Sequence, residues 1–154
     1  MIIGELTETY PPMLDGVGRV TMAYCQSLEK AGHTAYYIAP EDPGHTRVDG
    51  LNTILYRGIQ IPGQNYRLGV PDLSLEFRKQ IRDIPFDILH IHSPFLSAHI
   101  AKEILSERMD IPVVATFHSK YYDDFLKATH SRAIASGVVN SIVRVTTGAT
   151  QCGR

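Results

Sequence analysis

The sequence predicts an α/β fold, a mostly parallel sheet with helices on both faces, from three observations. Short apolar runs alternate with longer segments of helical period. The loops joining them are rich in Gly, Pro and Thr. No repeat or low-complexity tract interrupts the rhythm. Such a succession closes as parallel strands joined by right-handed crossovers, which bring every strand-to-helix loop to one edge of the sheet. Ligands of such sheets bind at that edge, beside the point where strand order reverses.

The elements follow in order. Ile2–Leu6 is predicted as the first strand, followed by the loop Thr7–Arg19. Val20, Ala23, Tyr24, Leu28 and Ala31 recur at helical spacing, and Gly32 supplies a C-terminal stop. Thr34–Ala39 is the second strand, ended by Pro40. The stretch from Glu41 to Val70 is less regular, with a short strand at Thr53–Tyr56 and punctuation at Gly58, Pro62 and Gly63. A helix is expected over Leu73–Asp83, with Asp72 or Ser74 near its N-cap. Then come a strand at Asp87–Ile91, a helix near Leu96–Arg108 and a strand at Val113–Phe117. The region from Asp123 to Arg144 looks mainly helical, with Gly137 as a break.

At 154 residues the chain fits one domain with a real core, and 44% apolar with 20% charged residues is ordinary for a soluble globular protein. A formal net charge of -1 gives no broad attraction for nucleic acid or anionic lipid. Cys25 and Cys152 suggest no disulfide framework, and Cys25 reads as a buried free thiol within a helix. The N-terminus MIIGELTETY lacks the pattern of a signal peptide, and no stretch approaches the ~20 apolar residues of a membrane span. A cytoplasmic location is the expectation.

Three loops carry chemistry. In the first, YPPMLDGVGR, Gly16 and Gly18 let the backbone approach a ligand, and the helix N-terminus behind them suits a diphosphate or other anion. A flexible turn with no ligand is the plain alternative. The dinucleotide fingerprint fits poorly: the loop is long, residue 21 is Thr, and Glu41 lies beyond Pro40. In the second, DILHIHSPF, His90 and His92 alternate onto one face of the strand, with His92 and Ser93 at its C-terminal end. An H-x-H pair can bind metal, but no acidic residue stands at a clear ligand spacing, so no metal site is assigned. His90 reads as a satisfied core histidine. In the third, VVATFHSKYYDDF, His118 follows the strand directly and could donate a hydrogen bond or transfer a proton. Lys120, Tyr121 and Tyr122 add donors and aromatic surface for a polyhydroxylated substrate.

Taken in order, YPPMLDGVGRV with LEKAGHTAYYIAPE, FDILHIHSPF and IPVVATFHSKYY resemble the N-terminal domain of glycosyltransferase family 4 over residues 1–144. The resemblance implies one Rossmann-like domain of a two-domain GT-B fold. It implies a retaining enzyme that moves a sugar from a nucleotide-sugar donor to a small-molecule or lipid acceptor, usually without a metal ion or other cofactor. Gly16, Gly18 and Arg19 would then approach the donor phosphates or the acceptor. His118 would contact the donor sugar, and Asp15, His92, Ser93, Lys120, Tyr121 and Tyr122 would help shape the substrate side. Asp15 departs from the pattern, because many members carry a glycine there, and its carboxylate repels phosphate unless turned away.

Family members also carry a second Rossmann-like domain with a pair of spaced glutamates, which these residues do not contain, so the chain alone is expected to be inactive. The last ten residues, VTTGATQCGR, suit a buried strand poorly. Back-translated from the third base of the Val145 codon, they permit Tyr-Asn-Arg-Cys-Asp-Ala-Val-Trp-Thr, which looks like the expected strand. Residues 145–154 are therefore expected to be an aberrant tail produced by a change of frame, or else the disordered tail of a short protein or of a fragment. A stand-alone module binding a nucleotide or anionic metabolite, and a divergent NAD(P)-dependent oxidoreductase, are the alternative functions. No nucleic-acid partner is expected, and peripheral membrane contact is left open.

Overall fold

A computed structural model describes residues 1–11, 15–41, 44, 48–60, 67–108, 110–118, 126–127, 129–134, 136–137 and 140. Five strands form one parallel sheet: β1 (Ile2–Leu6), β2 (Thr34–Pro40), β3 (Asn52–Tyr56), β6 (Ile88–Ile91) and β7 (Val113–Ala115). Their order is β3-β2-β1-β6-β7. The chain winds outward from β1 to β3, then returns to the other side of β1. Strand order therefore reverses between β1 and β6, and the ends of those two strands open a crevice.

Helix α1 (Gly16–Lys30) joins β1 to β2 and packs on one face. Asp15 caps its first turn, and Gly32, at φ +82°, ends it: His33 N–H bonds Leu28 O, and Gly32 N–H bonds Glu29 O. Helices α2 (Leu75–Asp83) and α3 (Leu96–Glu107) lie against β3 and β6. Their apolar faces share one core with Leu6, Ile38, Leu89 and Ile91. Gly4 sits under that core, and a Cβ there would stand 3.0 Å from Leu89 Cδ2. No described helix is long and apolar enough to cross a membrane.

Several expectations needed adjustment. The irregular stretch before α2 holds an unexpected antiparallel hairpin, β4 (Gly58–Gln60) with β5 (Arg67–Gly69). A single 3-10 turn occupies Pro71–Leu73, so α2 begins at Leu75, with Ser74 as the cap. β7 stops at Ala115, two residues early. Of the predicted helical region beyond Asp123, the described positions are mostly helical, and Gly137 is among the helical ones. Lys120, Tyr121, Tyr122 and residues 145–154, with Cys152, lie outside the described residues.

The α1 stripe is also rotated. Val20 and Tyr24 are exposed, while Gly18, Thr21 and Cys25 face the sheet. Small inward residues let the helix lie close over the sheet, and the Tyr24 ring lies 5.2 Å from that of His90 and 5.5 Å from that of His92. Cys25 is fully buried and free, as expected, and burial pushes its thiol far above the usual range.

Candidate functional site

Strand alternation assembles the site. Glu5 pairs in register with His90, and His90 with Val114. Side chains two apart share a face. Glu5, His90, His92, Thr116 and His118 therefore all point toward the α1 side of three adjacent strands. Thr116 N–H bonds Ile91 O at 2.9 Å, which extends the ladder past the end of β7 and carries His118 to the crevice.

The result is a continuous chain of contacts. Glu5 Oε2 lies 2.6 Å from His92 Nε2 and 2.9 Å from His90 Nδ1. The second nitrogen of His90 meets Thr116 Oγ1 at 2.8 Å, and that of His92 meets His118 Nε2 at 2.9 Å. The His92 and His118 rings stack with centroids 5.2 Å apart. Glu5, His90 and His92 are buried, with His92 wholly so.

Burial alone would raise the Glu5 carboxyl, but hydrogen bonds from His90 and His92 hold it below the ordinary carboxylate value. Glu5 is therefore ionised at neutral pH. Desolvation first, then the neighbouring His92 and His90, push His118 below the usual histidine value, against an opposing pull from Asp15.

Glu5, His90 and His92 offer ligand atoms within 4.8 Å of one another. Their contacts of 2.6 and 2.9 Å are hydrogen-bond lengths, shorter than the roughly 3.3 Å between ligands of a tetrahedral zinc ion. The geometry is that of a hydrogen-bonded network.

Beside this network lies a cleft of about 160 Å³ lined by Thr7, Glu8, Thr9, Asp15, Val17, His92, Ser93 and Phe95. Two helix N-termini reach it, and each already meets a carboxylate of the chain. Asp15 Oδ1 accepts the Gly18 N–H at 2.7 Å and the Thr9 hydroxyl at 3.0 Å. Glu8 Oε1 accepts the Leu96 N–H of α3 at 2.9 Å and the Ser93 hydroxyl at 2.5 Å. Among the described residues, the buried Thr7 Oγ1 has no hydrogen-bond partner.

The residues singled out from sequence therefore fall into groups. His92 and His118 meet directly. Asp15 is turned into the helix cap, which commits the Gly18 N–H and changes what the first loop can offer an anion. Gly16 is exposed, with open space where a Cβ would stand. Arg19 is exposed, and its backbone N–H bonds Asp15 O at 3.1 Å. Ser93 lines the cleft while bonded to Glu8, and it accepts the Phe95 N–H at 3.3 Å.

Sequence reasoning missed Glu5, Glu8, Thr7 and Thr116. Glu5 left a signal: a charge inside an otherwise apolar central strand has to find a partner, and an H-x-H strand was at hand.

A doubly wound parallel sheet with a polar cleft at its switch point defines an α/β domain of the Rossmann-like class. The chain belongs to Glycosyltransferase Family 4, whose pattern matches residues 14–147. It is 27% identical to an alpha-monoglucosyldiacylglycerol synthase of Acholeplasma laidlawii over 80% of its length and 31% of that protein's. A synthase of the same name from Streptococcus pneumoniae is 28% identical, over 94% of this chain and 32% of its own. A GDP-mannose-dependent alpha-mannosyltransferase of Mycobacterium tuberculosis is 26% identical, over 76% and 32%. The chain spans about a third of the length of these relatives.

Proposed function

We infer that these residues form the acceptor-side wall of a sugar-transfer cleft in a retaining enzyme of GT-B architecture. The sugar would come from a nucleotide-sugar donor and pass to a hydroxyl-rich acceptor, a glycolipid or small glycoside, without a metal ion. The observation that carries this reading is the occupation of both helix N-termini by Asp15 and Glu8. A helix N-terminus left open attracts phosphate, whereas one filled by a carboxylate repels it and accepts hydrogen bonds from hydroxyls. The buried Thr7 hydroxyl adds one more group able to meet a hydroxyl. The names of the relatives, a glucosyldiacylglycerol synthase and a GDP-mannose-dependent enzyme, agree with a lipid acceptor and a nucleotide-sugar donor.

One wall cannot hold donor against acceptor, and positioning supplies much of the rate of such reactions. Transfer is therefore expected to need the remaining two thirds of the family's length. In an enzyme of that length, His118→Ala should lower turnover roughly a hundredfold with the fold intact, and near-normal turnover would remove His118 from the mechanism.

Binding can be tested on this chain. In amide spectra, a glucosyl-glycerol headgroup should shift Thr7, Thr9 and Phe95, whereas UDP, GDP, ADP and NADH should not. Tight binding of a free nucleotide would favour a stand-alone nucleotide module instead. Tight binding of NADH would favour an oxidoreductase.

A further inference from the structure

The contacts running Thr116, His90, Glu5, His92, His118 admit one set of proton positions when Glu5 is ionised and the three rings are neutral. A carboxylate can only accept, so His90 donates to Glu5 through Nδ1 and His92 through Nε2. Neutral His90 then has a bare Nε2, which accepts the Thr116 hydroxyl. Neutral His92 has a bare Nδ1, so its 2.9 Å bond to His118 has to be donated by the His118 Nε2–H. His118 is left with a bare Nδ1.

We propose that Glu5 is a positioning residue: by fixing the tautomer of His92 it fixes that of His118, which then meets a ligand as a hydrogen-bond acceptor. This revises the expectation that His118 donates a hydrogen bond to a ligand, because its one ring proton is already committed to His92. Two features of the geometry favour neutral rings over a charged His92. Glu5 Oε2 receives two N–H groups and is satisfied without a cation. His92 is wholly buried, where an imidazolium would lose all hydration. Among the described residues, Tyr24 and Cys25 of α1, Asp15 at its cap and Glu8 beyond β1 are the other titratable groups that face the cluster.

The consequence for a sugar hydroxyl rests on the proposed transfer cleft; the proton positions do not. They are read directly from two-bond 15N–1H spectra of the histidine-labelled chain above neutral pH. His92 and His118 should each show a protonated Nε2 and a bare Nδ1, and His90 the reverse. Glu5→Leu removes the acceptor and should turn the single His118 tautomer into a mixture. Glu5→Gln keeps a carbonyl oxygen able to take both N–H groups and should preserve the single tautomer.

A wild-type His92 protonated at Nδ1, as imidazolium or as the other tautomer, would overturn the proposal. So would an unchanged His118 in Glu5→Leu. The wild-type spectrum decides the matter even if that variant fails to fold. The expected tautomers in a chain that binds no hydroxyl-rich ligand would support the relay while sinking the transfer reading.

Discussion

On the α2/α3 side of the sheet, Leu6, Ile38, Leu89 and Ile91 pack against Phe77, Ile81 and Ile100 in an apolar core. On the α1 side the same strands present Glu5, His90 and His92, beside a smaller cluster of Tyr37, Cys25 and Ala35. One alternation of side chains makes both faces, since moving a single residue along β1 or β6 exchanges one environment for the other. The comparison separates two tasks. The apolar face supplies bulk and holds the strands in register. The polar face spends part of the interior on hydrogen bonds that orient one histidine at the crevice.

The contrast predicts unequal responses to mutation. Phe77 is 1% exposed and packs on Tyr56 with ring centroids 5.0 Å apart. Phe77→Ala should therefore lower stability by about 3–5 kcal/mol, through lost burial and the cavity left behind. Denaturant unfolding of the chain would measure it. A loss no larger than that of a surface substitution would show that the α2/α3 core is not what holds the sheet.

The polar face should respond less, and with a dependence on pH. Glu5→Gln keeps the side-chain shape but removes the charge, so about 1–2 kcal/mol should be lost at neutral pH. The folded-state value of Glu5 lies below its unfolded value. Its contribution is thus present above the unfolded value and is lost as pH falls through the folded one. His118, also held low in the fold, acts in the same sense, because acid favours the state in which it binds a proton more readily. The difference between wild type and Glu5→Gln should shrink as pH drops below the ordinary carboxylate range. A difference constant across that range would mean that Glu5 is not ionised in the folded protein.

The two faces also differed in how legible they were. Four of the five sheet strands can be placed within a residue or so from apolar runs such as Ile2–Leu6 and Thr34–Ala39, because a strand buried on both faces leaves an almost unbroken apolar signature. Gly32 and Ser74 act at helix ends as their residue types suggest. The polar network was half visible. His92 and His118 stood out by their place after strands, yet Glu5 was hidden by a strand that read as apolar, and its partner lies 87 residues away. Such a pairing depends on strand order, which a local pattern does not carry. The α1 stripe misled for a related reason. Val20 and Tyr24 are the larger apolar residues, but the helix lies close over β2, so the smaller Gly18, Thr21 and Cys25 turn inward instead, with Cys25 in the cluster of Ala35 and Tyr37.

The smallest expected effect lies at Asp15, where the cap and the charge of the cleft reside in one side chain. Asp15→Ala removes the acceptor for the Gly18 N–H and the Thr9 hydroxyl and should lower stability by about 1 kcal/mol. Asparagine caps a helix about as well as aspartate, so Asp15→Asn should stay within a few tenths of a kcal/mol of wild type. Thermal melts of the two variants would separate the cap from the charge. The same pair then tests whether the Asp15 charge turns phosphate away from the cleft. If the carboxylate keeps anions from the first turn of α1, Asp15→Asn should bind inorganic phosphate more tightly than wild type, with the helix undisturbed. Equal rejection of phosphate by both proteins would mean that the shape of the cleft, not its charge, selects what enters.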